Sequence, residues 1–147
     1  MLKKMMKRLK KEEKGFTLIE LLAVIVILAV IAVIAVPLIG KIIDNTKQDA
    51  DVATARQVYD AARLYITGEE DGVFESAASA PVVSVSISEL KSAGYLANDT
   101  VLPSSKAPLT GGTVTFKHDG TLDTVSLTTG TNTTKTIDAD KVLAGKN

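Results

Sequence analysis

From Leu21 to Val36 the chain runs sixteen apolar residues without a break, and between Phe16 and Ile39 only Thr17, Glu20 and Pro37 interrupt the pattern. As a helix rising about 1.5 Å per residue, that stretch covers roughly 36 Å, enough to cross a hydrocarbon core of about 30 Å. It is apolar all round rather than on one face, which predicts a membrane-spanning segment. Pro37 removes a backbone donor and Gly40 adds freedom, so a kink or local loosening is expected there. Beyond it, Ile42, Thr46, Ala50, Ala53, Gln57, Ala61 and Leu64 recur at three- and four-residue steps, while Lys47, Asp51 and Arg56 fall elsewhere on the wheel. This spacing predicts that the same helix continues as an amphipathic one, with an alanine-rich face open to close approach. Gly68 and the polar run Glu69-Glu70-Asp71-Gly72 end it.

Residues 69–110 read as a long connection containing one short helix. Ser86-Ile87-Ser88-Glu89 has capping-box spacing, and Gly94 stands where a C-terminal cap belongs. Pro103 and Pro108 bracket a turn-rich stretch. From Gly112 the period changes to two: Thr113-Val114-Thr115-Phe116 and Leu122 to Thr128 alternate apolar with polar residues, and Asp119-Gly120 between them signals a hairpin. A third strand is expected around Lys135 to Ile137, and the tail Ala139 to Asn147 is expected to be mobile. Three short strands cannot stand alone, but packing on the amphipathic helix would bury their apolar face. The fold class is therefore α+β, a long N-terminal helix packed against a small antiparallel sheet. Its divisions are a leader over 1–15, an apolar helix over 16–39, the amphipathic half over 40–67, and a globular head over 68–147 with its sheet from about 112.

Charge sharpens the reading of the N-terminus. The 147 residues sum to a formal charge of zero, but residues 1–15 hold seven Lys/Arg and two Glu, a net of +5, leaving −5 on the rest. A basic flank before the apolar run places that end on the cytoplasmic side and the C-terminal part outside. There is no cysteine, so no disulfide staples the exported part. An ordinary secretory signal fits less well, because its apolar region is shorter and the nearest small-residue cleavage pattern, Val33-Ile34-Ala35, lies deep in the run. A plain uncleaved anchor explains the length and the charged flank. It does not explain Glu20, a carboxylate inside the apolar segment that is costly there without a reason, nor Gly15-Phe16 at the end of the basic leader.

Gly15-Phe16-Thr17-Leu18-Ile19-Glu20, after a short basic leader and before a long apolar helix, resembles the class III signal of type IV pilins and their pseudopilin relatives. Pro37 falls where many members carry a helix-kinking proline, and Ser88 to Leu96 is similar to a short element between helix and sheet in that family. The specific part of the resemblance covers about residues 10–65; beyond that it is one of layout. It implies a pilin-like fold and two reactions performed on the chain: cleavage between Gly15 and Phe16 by a membrane prepilin peptidase, and N-methylation of the new Phe16 amine. Glu20 and Pro37 would serve filament assembly. The implied partners are other pilin subunits, the peptidase/N-methyltransferase, an assembly ATPase, a membrane platform protein, and the membrane itself before assembly. The implied life cycle is a single-pass precursor in the cytoplasmic membrane and then a cell-surface filament serving adhesion, twitching motility or aggregation.

Catalytic constellations are hard to find. His118 is the only histidine and adjoins a hairpin turn; the serines at 84, 86, 88, 104 and 105 have no partner suggesting a nucleophile. Asp49 and Asp51 do not share a helix face with each other, and Glu69-Glu70-Asp71 reads as a solvated loop rather than a cation site. No phosphate loop, dinucleotide turn or zinc spacing is present, so the chain reads as a non-enzyme without metal or cofactor. The alternative within the same resemblance is a pseudopilin of a type II secretion or competence DNA-uptake machine. The acidic C-terminal part lacks the clustered Lys/Arg that phosphate contacts need, which argues against direct nucleic-acid binding. From a different class, a receptor or binding module with a plain anchor remains as a rival.

Overall fold

A computed structural model describes the backbone of residues 2–72 and 82–147, and the side chains of residues 17–72 and 83–147. The stretch 73–81 of the expected connection, and the side chains of the leader, Gly15 and Phe16, lie outside the described residues. The chain divides into two units, Met1–Ile43 and Asp44–Asn147.

Helix α1 spans Leu2–Glu69, of which Thr17–Glu69 is 53 residues. It begins within the leader rather than near Phe16, because the leader is built of Lys, Met, Leu and Glu, all strong helix formers. It also runs through Pro37 and Gly40 as one helix. Proline there removes the bond its own N–H would have made to the Val33 carbonyl and crowds that carbonyl with its ring, without ending the helix.

Within the second unit, α1 is followed by β1 (Val82–Ser86), α2 (Ile87–Ser92), β2 (Val101–Leu102), β3 (Ala107–Lys117), β4 (Leu122–Thr129), β5 (Thr134–Asp138) and α3 (Ala139–Ala144). The sheet runs β1-β3-β4-β5 with every pair antiparallel, and β2 joins the start of β3. Two of these five strands, β1 and β2, go beyond the three expected. β1 was hidden because its last residue, Ser86, is also the N-cap of α2, so strand and helix share a boundary with no loop between them.

The local chemistry behaves as its residues dictate. Ser86 accepts from the Glu89 N–H at 3.2 Å while Glu89 Oε2 accepts from the Ser86 N–H at 2.9 Å, a complete capping box. Those backbone and side-chain bonds from Ser86 hold the Glu89 carboxyl below the usual carboxylate range. At the other end, Gly94 is left-handed (φ 82°), the Tyr95 N–H reaches the Leu90 carbonyl at 2.9 Å, and the Gly94 N–H reaches that of Lys91 at 3.2 Å, a Schellman closure. The β3–β4 hairpin turns through His118, Asp119 and Gly120; Gly120 is left-handed and the Asp119 carboxylate accepts from the Thr121 N–H at 2.9 Å.

Gly112, at φ 122°, sits on β3 just past a register shift, and a Cβ there would run into the Ser126 carbonyl. Only glycine fits both conditions. Gly68 has a different role from the helix stop expected of it. It lies inside the last turn of α1, where a Cβ would stand 2.5 Å from the Tyr95 hydroxyl, so the missing side chain admits Tyr95.

The core is formed by Val52, Ala55, Val58, Tyr59, Ala62 and Ile66 from α1, meeting Val85, Val114, Phe116, Val125, Leu127 and Ile137 from the sheet. Tyr59 and Phe116 lie with ring centroids 5.9 Å apart. The buried helical face is rotated from the alanine-rich one expected. Ala61 is buried as anticipated, but Ala53 and Gln57 are exposed, and Leu64 is 61% exposed. The bulkier set Val52, Val58, Tyr59 and Ile66 wins because it removes more apolar area from water. On the sheet's other face, hydroxyl residues alternate with that core set: Ser84 and Ser86 on β1, Thr113 and Thr115 on β3, Thr124 and Ser126 on β4.

Asp51, expected off the packed face, is wholly buried on it. Its Oδ1 accepts from the Ser104 N–H at 2.9 Å and its Oδ2 from Lys135 Nζ at 2.8 Å, so one carboxylate joins α1, the turn after β2, and β5. Burial pushes its pKa up, but the bonds from Lys135 and Ser104, with the Lys135 charge, outweigh that and leave it below the usual value. The tail is also fixed rather than mobile. Val142 of α3 is buried, and Arg56 of α1 donates to the Leu143 carbonyl at 3.0 Å, closing an α3 C-terminus that ends in left-handed Gly145.

Two stability predictions follow from this packing. Lys135→Met leaves the buried Asp51 carboxylate with one partner and should cost about 1–3 kcal/mol in denaturant unfolding, toward the low end because Lys135 is itself 37% exposed. Since Asp51 titrates lower in the folded than in the unfolded chain, its contribution is full above the unfolded pKa, about 3.9, and fades as pH falls through the lowered folded value. The acid limb of Asp51→Asn should therefore be flatter than wild type; an unchanged limb would contradict the pairing. Separately, Ala55→Leu should overpack the helix–sheet contact at about 1–3 kcal/mol, whereas Ala53→Leu should stay within about 0.5 kcal/mol. Equal costs would mean the helical face is misassigned.

Candidate assembly and processing segment

The unit Met1–Ile43 has no core of its own among the described residues. Every large apolar side chain from Leu18 to Ile43 is about half exposed or more, from 49% at Ile43 to 77% at Val33. Val, Ile and Leu at such density are normally interior residues. A single helix cannot bury a surface that is apolar on all sides, so this segment needs lipid or other protein around it.

Charge marks its limits. Glu20 is exposed, and the next ionisable residue is Lys41. The twenty residues between them rise about 30 Å as helix, the thickness of a hydrocarbon core. Glu20 therefore belongs at one boundary of the apolar span rather than at its centre, where a carboxylate would be most costly. Pro37 lies near the other boundary, exposed, and with Ile34, Leu38 and Lys41 it borders a shallow depression on the helix surface. Glu20 and Pro37 are thus about 25 Å apart along the axis and form no joint site. Gly15 and Phe16 are helical in backbone, which puts the Phe16 nitrogen one turn, about 6 Å in rise, before Glu20.

Elsewhere the expected candidates stay dispersed. His118 is exposed at the hairpin, and Glu69, Glu70 and Asp71 are exposed at the end of α1. Among the described residues no three His, Cys, Asp or Glu side chains gather as a metal site. The residue whose placement the sequence hid was Asp51, a structural tie between α1, the turn after β2 and β5. Its signal was the spacing Asp51, Ala55, Val58, Ala62 beside Val52, Tyr59, Ile66, a wider apolar stripe than the alanine face.

Residues 10–36 match the family model for the prokaryotic N-terminal methylation motif, the type IV prepilin signal. The match takes in the end of the leader, Gly15, Phe16, Glu20 and most of the apolar run, and stops one residue short of Pro37. No curated protein and no solved structure matches the chain. The chain thus carries the signal that type IV pilins and pseudopilins share, on an α+β architecture of long helix and small antiparallel sheet that is pilin-like. That signal, with the apolar helix behind it, fits a membrane-anchored precursor of a structural protein processed by prepilin peptidase.

Intact-mass measurement of the membrane-associated protein should give a chain beginning at Phe16 and heavier by one methyl group. A mature chain still beginning at Met1, or one cut after Ala35, would contradict this site. Gly15→Leu should leave the precursor in the membrane uncut.

Proposed function

We propose that this protein is the structural subunit of a type IV pilus-like surface filament, polymerised through the apolar part of α1. The observation that carries the reading is the pairing of a prepilin signal over residues 10–36 with a helix whose apolar side chains from Leu18 to Ile43 find no cover among the described residues. In the membrane that surface is solvated by lipid; in a fibre it is re-buried by neighbouring subunits, so transfer exchanges one apolar surrounding for another. The precursor sits with its basic leader inside and its sheet-bearing part outside. An assembly ATPase and a membrane platform protein would drive extraction, and adhesion, twitching motility or aggregation would follow.

Glu20 gains its role from cleavage. Before it, the carboxylate lies well inside α1; after removal of residues 1–15 it lies in the first turn of a new helix, beside a new positive amine at Phe16. There it complements both the amine and the positive end of the helix dipole. When helices bundle, both charges leave water, and an unpaired buried charge is far costlier than a paired one. Pairing Glu20 with the Phe16 amine, of its own chain or of an incoming neighbour, removes that cost and fixes axial register. Methylation leaves the amine cationic, so the pairing survives it.

Electron microscopy of sheared surface material, labelled with antibody to residues 82–147, tests the filament. Long labelled fibres on wild-type cells support it, fibres only on overexpression indicate a pseudopilin, and none under either condition indicates a plain anchor. Glu20→Ala should insert and be cut normally while its fibre yield falls by more than about tenfold, the loss expected when one buried charge is left unpaired. Normal fibre yield from Glu20→Ala would reduce the residue to an interfacial bystander.

A further inference from the structure

Two of the four asparagines head the pattern Asn-X-Thr, with X other than proline, that accepts N-linked sugar: Asn98-Asp99-Thr100 and Asn132-Thr133-Thr134. The fold brings both to one end of the sheet. Asn132 lies in the turn between β4 and β5, where the Gly130 N–H donates to the Pro108 carbonyl at 3.1 Å. Asn98 lies between α2 and β2, where Lys91 Nζ donates to the carbonyls of both Asn98 and Leu109. Pro108 and Leu109 are consecutive residues near the start of β3, so the two patterns flank one point on that strand.

A threonine-rich chain produces such patterns by composition, and the left-handed backbone at 132 (φ 56°) itself favours asparagine. The surroundings of the two amides say more. Both residues are exposed, and neither side-chain amide makes a hydrogen bond among the described residues. Asn147 shows the structural use of the same group: its Oδ1 accepts from Lys141 Nζ and its Nδ2 donates to Gln48. The hydroxyls of Thr100 and Thr134 bond locally at the surface, at 2.7 Å to the Ala97 carbonyl and 3.0 Å to the Thr128 hydroxyl. An amide that accepts a bulky sugar must be reachable from solvent and uncommitted within the fold, and both positions meet those conditions.

We propose that Asn98 and Asn132 are N-glycosylation sites, so that one end of the sheet carries two sugar chains. The donor class is an oligosaccharide joined through a diphosphate to a membrane lipid. The anomeric C–O bond to the diphosphate breaks, a C–N bond to Asn Nδ2 forms, the nitrogen loses one proton, and the lipid diphosphate leaves. This rests on the outside placement of the sheet-bearing part proposed above. A membrane-impermeant amine reagent, reaching exposed Lys106 and Lys117 in intact cells if that part is outside, reads the placement separately. Full-length protein from the membranes of the cells that make it should carry, beyond the change at Phe16, two sugar increments mapped to the peptides holding Asn98 and Asn132. Asn98→Asp and Asn132→Asp should each remove one increment, with thermal unfolding unchanged because Asp also tolerates the left-handed backbone at 132. Thr100→Ala and Thr134→Ala keep the amide and should remove the same increments, whereas Thr100→Ser and Thr134→Ser should retain them. Unmodified peptides from a head that the reagent reaches would overturn the proposal, as would an increment surviving Asn→Asp, which places the sugar on a hydroxyl. A head that the reagent does not reach would overturn the proposal and the placement together.

Discussion

Everything in this molecule depends on one helix having to satisfy two different surroundings. From Leu18 to Ile43 the apolar side chains of α1 are exposed on every side, while from Asp51 to Ile66 the same helix buries a single face. The first part demands an apolar medium that the described residues do not supply. The second supplies its own, by laying Val52, Val58, Tyr59 and Ile66 against a sheet whose inner face is Val85, Val114, Phe116, Val125 and Leu127. No loop separates the two regimes; only the sequence of side chains changes along one continuous backbone.

Asp51 stands near the start of the second regime, and its placement has a physical logic. A helix face offered to a small sheet could slide along it, because apolar contacts are non-directional. A buried carboxylate bonded both to the Ser104 N–H and to Lys135 can be satisfied in only one position. The apolar contacts supply most of the stability, and the ionic contact supplies register. Arg56, one turn further along, performs a smaller version of the same task by holding the carbonyl end of α3.

Much of this was legible in the sequence because it is written in local rules. The apolar run, the capping box at Ser86 and Glu89, the left-handed Gly94, and the Asp119-Gly120 hairpin each depend on residues within a few positions of one another. The prepilin signal was legible for the same reason: it is contiguous. What escaped was set by tertiary contact. The packed face of α1 was read from small residues at helical spacing, yet the sheet selects the bulkier set one position round the wheel, and Asp51 looked like a surface charge until its partners from residues 104 and 135 came into place. β1 escaped because a strand that ends on a helix N-cap lacks the turn residues that usually announce it. The order of the tail has no local sign because its anchor, Arg56, lies 87 positions away.

The two regimes also suit the filament proposed above, in which one subunit would have to change surroundings without coming apart. Among the described residues, the core cluster begins at Val52 and ends at Val142. In that filament, passage of the apolar span from lipid to a bundle of its own kind would exchange one apolar surrounding for another. That transfer would involve a surface apolar before and after, apart from the Glu20 carboxylate and the Phe16 amine at its boundary. Those two charges would be the groups whose free energy changes most with the surroundings, since a charge that costs little at a lipid–water boundary costs much in a dry bundle unless it is paired. Glu20 is the only ionisable residue between Phe16 and Lys41 and lies one turn from the Phe16 nitrogen, so in the proposed filament, assembly would be conditional on processing: the uncut precursor would have no amine there to neutralise Glu20, and the cut one would.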